Sequence, residues 1–247
     1  MLPELTKILE RLFAIEGNHD TTSLLECRDE LIGFLGEEEQ IFTSDDDENI
    51  ITAKNGIRFI DANIAYAATT NPIEANKCLT PFFERLANTE KWNFYDIKFL
   101  IGALTFTENI KQTELLARKS IEAMKAFKAD PRYNFLSGCI AVNMLSRLLY
   151  AKYFDEPMEL DFELEDEFNQ WFRRLRLLLE RTDELKIHYE IAEIREALFK
   201  KIMKTLITRV QKFQDAHDEQ MAQVVMSEVD LYMNSDKFMT LEELLNT

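Results

Sequence analysis

Apolar residues return every three or four positions along almost the whole chain, the period of a helix with one buried face. The pattern predicts helices over "LPELTKILERLFAIE", with Pro3 in the first turn, and over "TTSLLECRDELIGFLG", capped at Thr21 or Thr22 and ending at Gly36. A third runs over "ENIITAKNGIRFIDANIAYAAT". Pro72 then breaks the pattern, and Thr80 and Pro81 open a short helix, "TPFFERLAN". Further helices are predicted over Glu90–Phe106, "KQTELLARKSIEAMKAFK", "PRYNFLSGCIAVNMLSRLLYAKYF", "LEDEFNQWFRRLRLLLERT" and "DELKIHYEIAEIREALFKKIMKTLI". Two close the chain, "EQMAQVVMSEVDLYMN" and "TLEELLN". No strand run and no Gly-rich phosphate loop interrupts these helices.

The stretch from Glu90 to Phe106 carries two apolar stripes where most surface helices carry one. Tyr95, Phe99, Gly102 and Phe106 form the first, and Phe94, Ile97, Ile101 and Leu104 the second. Such a helix is interior, either to a stack of helix pairs or to a bundle. About eleven helices are many for one bundle, which favours an all-α, right-handed superhelix of antiparallel pairs. It would form one repeat domain over residues 1–247, with N-terminal helices to about residue 50, a core over 51–206 and C-terminal dimerisation or capping helices over 207–247.

Composition narrows the function. Gly (6) and Pro (5) are scarce, as long helices require. The net charge of -16 opposes binding of nucleic acid by this chain alone. Cys27, Cys78 and Cys139 are far apart and lack metal-ligand spacing, which suits buried thiols in a reducing cytoplasm. Uncharged runs such as "FLIGALTFT" are too short to span a bilayer, so no membrane is expected. "TSDDDEN" lacks the Gly and the following Glu of a calcium loop and is read as solvated. His19, His188 and His217 form no metal or catalytic motif, and the carboxylates of "DEPMELDFELEDEF" suit a helix start. An enzyme, a metal and a cofactor are therefore not expected.

One helix carries a more specific pattern. Asn143 and Arg147 share a face of the Tyr133–Phe154 segment, and Tyr150 lies three residues further on. An Asn amide both donates and accepts, so it can clamp a peptide backbone, and Arg can hold a carboxylate in a fork. Equally, both side chains can be satisfied by neighbouring helices. "IREALFKKIMKTLITRVQK" is basic in an otherwise acidic chain, a solvated face or a contact for an acidic partner or a second copy.

The order "LTPFFERLANTEKW", "WNFYDI" and, about fifty residues later, "IAVNMLSRLL" resembles the C-terminal helical-repeat domain of the Rgg/GadR/MutR transcriptional regulators of Gram-positive bacteria. The resemblance runs from about Asn55 to Lys204. It implies a tetratricopeptide-like superhelix whose concave face binds a short hydrophobic signalling peptide in the cytoplasm, with C-terminal helices supporting a homodimer. It implies peptide-backbone contact by Asn143. Arg147, Tyr150, Tyr95 and Phe99 extend the groove by sharing faces, and His188 and Arg195 stand at its edge. Those regulators open with a basic helix-turn-helix domain. Here the first helix leads into the repeat-like region, so DNA contact is expected only through a helix-turn-helix domain absent from this chain. The competing expectation is a helical-repeat adaptor with a protein partner and no small ligand.

Overall fold

The computed structural model describes residues 1–15, 21–38, 47–69, 71–154 and 161–235. Among the described residues the chain is all-helical, with eleven α-helices and no strand. They are α1 (Pro3–Ile15), α2 (Thr21–Glu38), α3 (Glu48–Thr69), α4 (Pro72–Asn88), α5 (Phe94–Ala103), α6 (Ile110–Met124), α7 (Tyr133–Phe154), α8 (Asp161–Leu179), α9 (Lys186–Phe199), α10 (Met203–Ala216) and α11 (Glu219–Met233). The chain divides into two compact units, Met1–Phe127 and Lys128–Thr247.

In the first unit α3 packs between α2 and α4, and α5 lies against α3. The helix α5 starts at a reciprocal cap. The Asn93 side chain accepts from the Asp96 N–H at 2.8 Å, and Asp96 Oδ2 accepts from the Asn93 N–H at 3.0 Å. Asp96 is only 2% exposed, and its other oxygen accepts from Arg85 of α4. Burial raises the Asp96 carboxyl above its ordinary value, while Arg85 and the Asn93 N–H pull it back. The helix is buried at Ile97, Phe99, Leu100 and Ala103, so each predicted stripe is buried only in part: Phe99 of the first and Ile97 of the second are enclosed, while Tyr95, Gly102, Phe94 and Ile101 are half-exposed. Its half-exposed side is Tyr95, Lys98 and Ile101, where the Lys98 ammonium sits 4.4 Å from the Phe13 ring. The helix tightens into a 3-10 turn over Leu104–Phe106 instead of running on to Phe106.

Pro72 starts a helix rather than only ending one. Asn71 caps it by accepting from Ile73 N–H at 2.9 Å, and the missing Pro72 N–H falls where no intrahelical partner exists. The helix then runs through Pro81 to Asn88, so "TPFFERLAN" is its second half. Thr80 does not cap; its hydroxyl donates to Asn76 O at 3.0 Å.

In the second unit α7 is the central element and packs on α8 and α9. It is apolar on nearly every side and buried over most of its length. Gly138 allows close approach, because a Cβ there would collide with Leu185. The predicted helix from Asp183 to Ile207 is instead a 3-10 turn, α9 and α10. The break falls at Lys201, which takes a left-handed φ of 55°. The Ile202 N–H reaches Ala197 O at 2.9 Å and the Lys201 N–H reaches Leu198 O at 3.1 Å, a Schellman closure made without glycine. Two α7 side chains hold the same end of α9: Tyr153 donates to Leu198 O at 2.8 Å and Lys152 to Phe199 O at 2.7 Å. "TLEELLN" lies outside the described residues.

Candidate functional site

From Leu136 to Tyr153, α7 is buried at every position except Asn143, Ser146, Tyr150 and Lys152. Asn143, Ser146 and Tyr150 are three and four apart, so they form one half-exposed line on an otherwise enclosed helix. Arg147 lies beside this line, 5% exposed, with its guanidinium 5.1 Å from the Tyr150 ring centre. The Tyr150 ring lies 5.0 Å from Phe154. An amide, a guanidinium and an aromatic ring are thus gathered on one face, a set that can bond a peptide backbone and stack on its side chains.

The helix α11 is anchored across the same element. Its Tyr232 ring lies 5.4 Å from Tyr153 and 5.6 Å from Phe154. Burial pushes the Tyr232 phenol upward, Glu228 adds to this, and Arg195 and Arg147 oppose it, which places α11 within electrostatic reach of Arg147. Arg195 of α9 forks onto Glu228 of α11 at 2.8 and 3.0 Å and donates to Val142 O of α7 at 3.2 Å. Its donors are therefore engaged in joining three helices. The sequence reading missed Tyr232 and Glu228; their signal is the buried stripe Val225, Val229 and Tyr232 with Glu228 beside it.

His188 is half-buried on α9, edge-on to Phe135 at 5.5 Å. Burial is the largest influence on its imidazole and lowers its pKa from 6.5; the Glu184 carbonyl opposes this and Arg195 adds to it. The unfolded chain therefore takes up the His188 proton before the folded one. This part of the stability is full above pH 6.5 and lost as pH falls through the lower folded value. Urea melts between pH 7 and pH 5 should show it, and His188→Leu should flatten that portion of the curve.

Tyr95 and Phe99 belong to the first unit. Phe99 is 1% exposed, inside a cluster with Phe13, Phe59 and Phe82. Tyr95 is half-exposed and stacks on Phe13 at 6.3 Å. The other five predicted residues lie in the second unit, and of these Asn143, Arg147 and Tyr150 form the compact set on α7.

The basic segment is largely paired. Lys200 binds Glu196 at 2.9 Å, and Arg209 of α10 binds Glu196 at 3.1 Å. Burial works against the Glu196 charge, but these two cations outweigh it and hold the carboxyl below its ordinary value. Lys204 and Lys212 are exposed. A shallow, open depression lies along one face of α10, lined by Ile207, Thr208, Gln211, Lys212, Asp215 and Ala216, and includes none of the seven predicted residues. His217 pairs with Glu190 at 2.7 Å. Among the described residues no group of His, Cys, Asp and Glu could hold a metal ion, and no helix is long and apolar enough to cross a membrane. Most of "TSDDDEN", His19 and the start of "DEPMELDFELEDEF" lie outside the described residues.

No protein-family model, curated protein or solved structure matches the chain.

Proposed function

We propose that this chain is a peptide-sensing regulatory domain of the Rgg/GadR/MutR type, a tetratricopeptide-like right-handed superhelix that binds a short hydrophobic peptide in the cytoplasm and works as a homodimer. DNA would be reached through a helix-turn-helix domain of the kind those regulators carry. The observation that carries the reading is the half-exposed line of Asn143, Ser146 and Tyr150 on the most enclosed helix of its unit. The amide on this line can donate and accept at once, and Tyr150 places a ring on the same face. Packing of helices chiefly on their chain neighbours supports a repeat architecture. The Asn93 and Asp96 cap gives "WNFYDI" a structural role of the kind a fixed motif requires.

In this reading Asn143 clamps the peptide backbone, Tyr150 stacks on a side chain and Arg147 takes a carboxylate or carbonyl. Arg195 positions α11 beside them. Asn143→Ala should weaken peptide binding about tenfold, the worth of a buried amide bond pair, with the circular dichroism unchanged. Anisotropy of a labelled peptide measures it, and an unaltered affinity would remove Asn143 from the site. The second reading, an adaptor for a protein partner, draws on the open face of α10, where Ile207 is 62% exposed. It is favoured if partners bind the chain and Ile207→Glu, but not Asn143→Ala, releases them.

A further inference from the structure

A polar cluster in the first unit has no part in the peptide reading. It gathers Thr52, Asn55 and Arg58 of α3, Arg85 of α4, and Asn93 and Asp96 at the start of α5. Its internal bonds are mostly complete. Arg85 Nη2 donates to Asp96 Oδ1, and the Asn93 N–H donates to Asp96 Oδ2 at 3.0 Å. Asn93 Nδ2 donates to Thr52 Oγ1 at 3.1 Å, and Arg58 Nη1 donates to Asn55 Oδ1 at 3.1 Å. Two buried nitrogens have no acceptor: Asn55 Nδ2 and Arg85 Nε. Asn55 is 1% exposed. Both orphans are donors, so the cluster lacks acceptors and nothing else.

Charge points the same way. Arg58 and Arg85 are close enough that Arg85, after burial, lowers the Arg58 pKa. Arg85 alone is paired, with the buried carboxylate of Asp96, whose two oxygens already accept from Arg85 and from the Asn93 N–H. Among the described residues Arg58 meets no carboxylate, and the exposed Glu48 reaches the cluster only through its charge on Asp96. A surplus positive charge is thus held beside two unanswered donors. A cation would be repelled and an apolar group would leave the donors bare. A water could accept from such a donor but would leave the charge uncompensated. An oxyanion answers both. The Arg85 side chain is 27% exposed, so the cluster has an edge open to solvent, while the two orphan nitrogens themselves are buried.

We propose that Arg58, Arg85 and Asn55 form a binding site for a small oxyanion, a carboxylate or a phosphate. The net charge of -16 on the chain disfavours unspecific uptake of anions, so binding would report this local site.

The test is titration of the full chain with inorganic phosphate and, separately, with acetate, at constant ionic strength set by chloride. Calorimetry should give saturable one-to-one binding, and the melting temperature should climb with the binding anion. Binding of phosphate alone assigns a phosphoryl compound, and of acetate alone a carboxylate. Arg58→Gln should weaken binding about tenfold or more, the loss expected for one charge-assisted bond. Asn55→Asp supplies the missing negative charge within the fold. It should abolish binding while melting no lower than the parent in chloride, which keeps the test decisive if Arg58→Gln does not fold. Absence of binding in both arms, or binding that survives these substitutions, would overturn the site.

Discussion

Phe99→Ala is expected to destabilise the protein by about 3–5 kcal/mol, the range for deleting a fully buried ring. Phe99 is 1% exposed, and its ring lies 5.1 Å from Phe13, 5.5 Å from Phe59 and 6.3 Å, edge-on, from Phe82. These rings come from α1, α3 and α4, so the cavity would open where four helices meet and close poorly. A groove residue would behave differently. Its loss would lower peptide affinity with little change in stability. Urea unfolding of the variant should show the full loss, while the folded fraction should bind peptide as the parent does. A cost below about 1 kcal/mol would contradict the placement of Phe99 in the core.

Asp96→Ala is expected to cost about 3 kcal/mol, the lower end of the range for breaking a buried ion pair. Burial raises the Asp96 carboxyl, so its charge is not itself a large source of stability. The cost comes from what is stranded. Arg85 loses its carboxylate, and the start of α5 loses half of its reciprocal cap. Arg85 is partly open to water and can rehydrate, which holds the cost to the lower end. Thermal melts of Asp96→Ala and Asp96→Asn at neutral pH measure this. The asparagine keeps an oxygen acceptor for the cap and should lose less.

Helix identity was largely legible in the sequence, because burial on one side imposes the 3.6-residue period directly. The pattern and the structure agree on α3 from Glu48 to Thr69. Boundaries set by tertiary contacts were not legible. Nothing local marks Lys201 as a helix end, since a left-handed lysine costs about 1–2 kcal/mol against glycine. The strain is offset by closure bonds, with Tyr153 and Lys152 reaching in from α7, which sequence spacing alone does not reveal. Pro81 misled for the opposite reason. A proline inside a helix usually breaks it, yet α4 already had its start at Asn71 and Pro72 and buries Leu79, Phe82 and Phe83 around the proline. At the candidate site, the shared face of Asn143 and Tyr150 followed from spacing. The engagement of Arg195 with Glu228 and Val142 did not, because those partners lie 33 and 53 residues away.

Peptide sensing is tested most directly by calorimetric titration of the purified chain with a set of short hydrophobic peptides at two temperatures. Saturable binding of at least one peptide is expected, with a negative heat-capacity change, as burial of apolar surface requires, and with weaker binding by Asn143→Ala. The absence of binding across the set would contradict it and leave the protein-partner reading in its place.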